Sequence, residues 1–211
     1  MTPKVIAFDF NGTLMNDGEL MYAVLCFHIG LGPGTPPSYP EFIRTFCPPY
    51  LDYVQKYGAT VPEELNWSAW DQIRAKNPTY PQAGVQALLE QLLQNKIPNY
   101  VITANNRHRV ENELITHGLH TFFKDLYADC EYKHPEIRKI LKAHTVKPQE
   151  MMYVGDMPVD MHAAQATGVI GIGIGSAKGH EKEHCQILRD AGATYVFPSM
   201  SAFHDALALG F

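Results

Sequence analysis

Short apolar runs recur along the chain, separated by stretches in which apolar residues return every three or four positions. The runs are residues 5–10 (VIAFDF), 99–104 (NYVITA), 151–156 (MMYVGD), 169–174 (VIGIGI) and 194–197 (TYVF). They do not alternate apolar with polar. A strand that is apolar on both faces is covered on both, so each run predicts a strand of a buried parallel sheet. In residues 82–96, Val85, Leu88, Leu89, Leu92 and Leu93 share one helical face, and Asn95 suits a stop. Pro135 and Pro158 stand where a first helical turn accepts proline, and Gly168 stands where a helix would end. Alternating strands and helices predict an α/β fold built on a doubly wound parallel sheet with right-handed crossovers.

Residues 16–79 break that rhythm. They hold a Gly/Pro cluster (GLGPGTPPSYP, 30–40) and then helical stretches near 40–57 and 62–76. The division expected is a core of residues 1–15 and 80–211, interrupted by a small, mostly helical insertion at 16–79. Segments 14–18 and 77–82 would be its hinges. Tyr22, Phe27, Phe42, Phe46, Tyr50 and Tyr53 would form the insertion's own core, with one or two facing a ligand.

Composition narrows the partners more than the fold. The chain has 211 residues, 45% of them hydrophobic and 18% charged, enough to bury a core without staples. Its formal net charge is -5 and it carries no Lys/Arg run, which argues against nucleic acid and anionic membranes as partners. No apolar run reaches transmembrane length, and the four cysteines are scattered. A cytoplasmic protein is expected. Oligomeric state is not legible in the sequence.

The chemistry collects at the ends of the strands, where open parallel sheets bind ligands. Asp9 follows the first run, Thr103, Asn105 and Asn106 the second, and Asp156 and Asp160 the third, while Lys133 precedes a helix. Asp9 is suited to nucleophilic attack on phosphorus. Asp9 and Asp156 would supply oxygen ligands to Mg2+. Thr103 can donate to a phosphoryl oxygen, Lys133 offers a point charge, and Gly12 permits a turn that cradles an anion.

The ordered set DFNGTL, VITANN, Lys133-His134-Pro135 and GDMPVD resembles the haloacid dehalogenase-like hydrolases. VGDMPVDMHAAQATGV (154–169) is similar to the fourth motif of the phosphoglycolate-phosphatase-like and β-phosphoglucomutase-like branch, and the insertion resembles the family's small helical cap. The resemblance implies a Rossmann-like core and an aspartyl-phosphate intermediate on Asp9. It implies a catalytic set of Asp9, Asn11, Thr103 and Lys133, and phosphate-binding positions at Gly12, Thr13, Ala104 and Asn105. Mg2+ would be held by Asp9, Asp156, Asp160 and the backbone carbonyl of Asn11. The substrate would be a small phosphorylated metabolite.

One letter disagrees with the resemblance. Its phosphatases carry an acid/base Asp two residues after the nucleophile, where this chain has Asn11, and Asn16 also replaces a common Asp. An amide cannot shuttle a proton near neutral pH. Three readings stay open: a phosphatase that moves the proton otherwise, a silent phosphate-binding or regulatory protein, or an artefact at this position, either a deliberate Asp-to-Asn change or an Asn11-Gly12 pair that deamidates back to Asp. A further branch cleaves carbon–phosphorus bonds with a cap lysine, for which Lys56 or Lys76 could stand. Specificity residues would come from Arg44, Lys56, Arg74 and Lys76. HEKEH (180–184) matches a zinc-helix pattern but is expected to be a solvated helix face.

Overall fold

A computed structural model describes residues 3–210, apart from the side chains of Glu63, Glu64 and Asn66. The strands are β1 (Val5–Phe8), β2 (Asn99–Ile102), β3 (Asp125–Tyr127), β4 (Met151–Gly155), β5 (Ile170–Ile174) and β6 (Tyr195–Phe197). All pair in parallel, in the order β3-β2-β1-β4-β5-β6. The helices are α1 (Gly18–Gly30), α2 (Tyr39–Thr45), α3 (Tyr50–Gln55), α4 (Glu63–Lys76) and α5 (Val85–Gln94). They continue as α6 (Arg107–Thr116), α7 (His134–His144), α8 (Pro158–Thr167), α9 (Glu181–Asp190) and α10 (Met200–Leu209).

Successive residues of β1 serve opposite layers. Ile6 and Phe8 join Leu88, Leu89 and Phe203 in one apolar cluster, while Val5 and Ala7 join Ile137, Ile140 and Ala164 in another. Both faces are therefore dry, which explains the unbroken apolar runs. The apolar face read in α5 is buried at Val85, Leu88, Leu89 and Leu92, but Leu93 is exposed. Gly84 opens the helix at φ 92°, and a Cβ there would lie 2.7 Å from the Ser201 backbone.

Four elements escaped the reading of the pattern, α10 among them. Edge strand β3 has only three residues, one of them an exposed Asp, so it exists through its pairing with β2. Helices α6 and α1 also gave no clear stripe. The stretch expected near 40–57 is two helices, α2 and α3, with an X-Pro cis peptide at Pro48-Pro49 between them. Among the described residues no helix is long and apolar enough to cross a membrane.

Helices α1–α4 lie between β1 and α5 in the chain. The two connecting segments run side by side: Asn16 N–H donates to the Tyr80 carbonyl (2.9 Å), and Tyr80 N–H donates to Asn16 Oδ1 (2.7 Å). Asn16 thus serves this seam. The expected aromatic core holds for Phe42 and Tyr53, whereas Phe27 is exposed. Met157, Ala177 and Ile187, from the sheet side, complete that cluster, so the insertion is packed down on α8 and α9.

Leu88 is fully buried in the larger cluster. Leu88→Ala should lower unfolding free energy by about 2–5 kcal/mol, read as a lower urea midpoint at unchanged slope.

Candidate active site

The strand order reverses direction at β1, so the carboxyl ends of β1 and β4 open onto one crevice. Phe8 registers with Val154, and Asp9 N–H donates to the Val154 carbonyl at 2.8 Å. This places Asp9 directly beside Asp156. Thr103 follows β2, and Lys133 caps α7 after β3. Asp9, Asn11, Thr103, Ala104, Asn105, Lys133 and Asp160 all line a cavity of about 150 Å³ between the strand ends and the insertion.

Lys133 Nζ donates to Asp9 Oδ1 through a very short contact and to Asp160 Oδ1 at 3.0 Å. All three groups are buried. Burial favours the neutral amine, but the carboxylates of Asp160 and Asp9 outweigh it and hold Lys133 charged. Burial pushes the Asp9 carboxyl up to about 7 against the opposing pull of Lys133, and Asp160 adds to the rise. Asp156 is also held well above the usual carboxylate range, first by burial and then by Asp9 and Asp160.

Oxygen atoms of Asp9, Asp156 and Asp160 lie within 4.8 Å of one another. With all three carboxylates ionised, one ammonium leaves a net charge of minus two in the crevice, which a divalent cation would balance while favouring the ionised forms. The site thus fits a divalent metal. Asp160 is the most occupied of the three: its Oδ1 accepts from Lys133 and Tyr153 (each 3.0 Å), and its Oδ2 from the Met157 N–H (3.1 Å). A Cβ on Gly155 would lie 2.4 Å from Asp160, so this packing requires glycine there.

Thr13 stands apart from the expectation that it touches substrate. It is fully buried, and its hydroxyl donates to Asp156 Oδ1 at 2.7 Å, so it orients a carboxylate. Gly12 is at φ 73°, and a Cβ there would fall 2.1 Å from Asp156 Oδ2. Close approach of loop and carboxylate is possible only with glycine.

Asn11 is tied at both ends of its amide. Nδ2 donates to Asp17 Oδ2, and Oδ1 accepts from Asn105 Nδ2 at 3.1 Å. Asp17 Oδ1 also accepts from the Gly12 N–H at 2.7 Å. Burial raises the Asp17 carboxyl to about 6, opposed by its bonds to Gly12 and Asn11. The Gly12 nitrogen, the one that deamidation of Asn11 would use, donates to Asp17.

His184 corrects the reading of HEKEH as a solvated face. His180 is exposed, but His184 is buried. Its Nδ1 accepts from the Ala177 N–H (3.1 Å), so Nε2 carries the proton and donates to the Asp156 carbonyl (2.6 Å). The motif thus braces the loop that carries Asp156. Of the insertion cations Arg44, Lys56, Arg74 and Lys76, none lines the cavity. Lys56 and Lys76 are therefore not placed for a carbon–phosphorus cleaving role. Tyr153, Asp17 and His184 were not legible as site residues, since each is an ordinary polar residue until the fold aims it.

A family model for haloacid dehalogenase-like hydrolases matches residues 6–174, and the chain belongs to that family. It is 24% identical over 188 residues to a phosphoglycolate phosphatase of Synechococcus elongatus, covering 81% of this chain and 83% of the relative. It is 26% identical to a phosphoglycolate phosphatase of Vibrio parahaemolyticus, covering 98% and 96%. A crystal structure of a haloacid dehalogenase-like protein from Agrobacterium tumefaciens superposes with a TM-score of 0.74 at 22% identity, covering 98% of each chain. The fold expected from the sequence, an α/β Rossmann-like parallel sheet, is the fold of these proteins.

Replacing His184 by Leu would leave the Asp156 carbonyl and the Ala177 N–H buried without partners. The expected loss is about 1–3 kcal/mol for each group so stranded, measured by chemical denaturation, with His184→Asn losing less.

Proposed function

We propose that the chain is a Mg2+-dependent phosphatase that transfers the phosphoryl group of a small phosphate monoester to Asp9 and then to water. The observation that carries this reading is Asp9 itself: a buried carboxylate at the floor of a cavity, paired with Lys133, beside Asp156 and facing Thr103 and Asn105. The names of the curated relatives support a phosphate monoester as the substrate class.

In this reading an Asp9 oxygen attacks phosphorus, and the bond to the leaving oxygen breaks with its electron pair staying on that oxygen. Water then attacks phosphorus and regenerates the Asp9 carboxylate. Lys133 and Thr103 hold the phosphoryl oxygens as charge shifts among them. Asp9, Asp156, Asp160 and the carbonyl of Asn11 would hold Mg2+, which supplies positive charge to the same oxygens.

The Asn11–Asp17 pair bears on why the usual acid is absent. An ionised carboxylate only accepts, so Asp17 requires a donor opposite it, and the Asn11 amide is that donor. An Asp at position 11 would face Asp17 carboxylate to carboxylate. Asn11→Asp should therefore destabilise the loop rather than simply restore an acid. The double change Asn11→Asp with Asp17→Asn returns one donor and one carboxylate to the pair. It should gain turnover of alkyl phosphates, by up to the ~10²–10⁴ that acid–base help contributes.

The direct test is Mg2+-dependent phosphate release by the native chain and by Asp9→Asn. Release that disappears in Asp9→Asn is expected; no release from any alkyl, acyl or aryl phosphate would overturn the reading in favour of a binding protein. Metal linkage gives an independent check. With its carboxyl raised to about 7, Asp9 is mostly protonated at about pH 5 and mostly ionised at about pH 8, and a metal binds only the ionised form. The rise in Tm on adding Mg2+ should accordingly grow from about pH 5 to about pH 8. A shift of equal size at both values would count against Asp9 as a ligand.

A further inference from the structure

The insertion's contribution to the cavity is built from rings. Phe46, Pro48, Tyr50, Trp67 and Trp70, all from the insertion, form its wall, and Met21, Met157 and Val159 complete it. Resting on the phosphatase reading above, we propose that the substrate is the phosphate ester of a flat, uncharged aromatic alcohol, in effect an aryl phosphate.

Charge is the first argument. Among the described residues lining the cavity, Lys133 is the one cation, and it already faces Asp9 and Asp160. The cations of the insertion are turned elsewhere. Arg44 reaches Glu183 (3.4 Å), Arg74 pairs with Glu113 on α6, and Lys56 sits over the Tyr53 ring (5.7 Å). Arg109 comes closest in character, with its guanidinium 4.4 Å from the centre of the Trp67 ring. Yet it is held by both oxygens of Asp71, at 2.6 and 3.0 Å, and does not line the cavity. It braces the Trp67 plane from outside. A ligand with a second anionic group, such as a carboxylate, would lose its water there and gain no partner.

Shape agrees. The insertion lines the cavity with rings, while the strand ends line it with Asp9, Asn11, Thr103 and Lys133. Aromatic walls favour flat, polarizable ligands that stack or meet ring edges.

The third argument comes from a different segment of the chain. Asn11 lines the cavity on the Asp9 side and gives no proton to the leaving oxygen, because its amide is committed to Asp17 and Asn105. The leaving group must then depart as an anion. A phenolic oxygen has a pKa of about 10, against about 15.7 for water and the neighbourhood of that value for alkyl hydroxyls. An aryl oxide leaves without the missing acid, and an alkoxide does not. The wall and the first loop thus select the same leaving group for unrelated reasons.

Trp67 and Trp70 are the two tryptophans of the chain, so its intrinsic fluorescence reports on this wall. The experiment titrates the Mg2+-loaded native protein with phenyl phosphate, phosphoglycolate and inorganic phosphate, by fluorescence and calorimetry, and measures hydrolysis of the two esters. Phenyl phosphate should bind about 10-fold tighter than inorganic phosphate, the order of one aromatic stacking contact, and phosphoglycolate no tighter than inorganic phosphate. Trp70→Ala should remove most of the phenyl phosphate preference without weakening inorganic phosphate, and Trp70→Phe should keep it. Tighter binding or faster hydrolysis of phosphoglycolate than of phenyl phosphate would overturn the aryl assignment while leaving a phosphatase. Preferential binding of phenyl phosphate with no hydrolysis of either ester would uphold the pocket and overturn the phosphatase.

Discussion

The ammonium of Lys133, buried between Asp9 and Asp160, is the contact on which the rest of the site depends. Three carboxylates cannot be gathered in a dry crevice unless something opposes their charge, because desolvation alone would drive them neutral. Lys133 opposes part of it, and Tyr153, Thr13 and backbone N–H groups share the remainder as hydrogen bonds. The charge that remains when all three carboxylates are ionised is what a divalent cation would balance. The neighbours obey the same constraint: Gly12 and Gly155 are glycine because carboxylates occupy the space where a side chain would be.

The first loop redistributes that charge in an unusual way. The position two residues after Asp9 is a neutral amide, and a carboxylate appears instead at Asp17, where it accepts from both the amide and the Gly12 N–H. The loop therefore keeps a complete hydrogen-bond set while holding no acid at the reacting centre. Asn11 is better understood as half of a matched pair than as a lost residue.

The insertion is joined to the sheet by more than its two connecting segments. Met157, Ala177 and Ile187 finish its apolar cluster, Arg74 and Asp71 reach Glu113 and Arg109 on α6, and Arg44 reaches Glu183 on α9. These pairs take the insertion's charges away from the cavity and leave rings to line it.

The hydrophobic pattern by itself determined the parallel sheet, the helices after β3, β4 and β5, and the place of a helical insertion. Strands buried on both faces and helices with one apolar face write their environment directly into residue order. It also determined which residues stand at strand ends, and so brought Asp9, Thr103 and Asp156 into view together, with Lys133 before the helix that became α7. Edge strand β3 was not legible because its stability comes from its neighbour, and α1 because its apolar residues are spread around it. Only the tertiary structure decided that Thr13 serves Asp156, that His184 of HEKEH braces the same loop, and that Asn11 answers Asp17. Each of these depends on which polar atom another segment presents at hydrogen-bond distance, and that is a property of packing rather than of residue order. For the same reason Arg44 and Arg74, which looked available in the insertion, proved to be paired with Glu183 and Glu113, and its tryptophans proved to line the cavity.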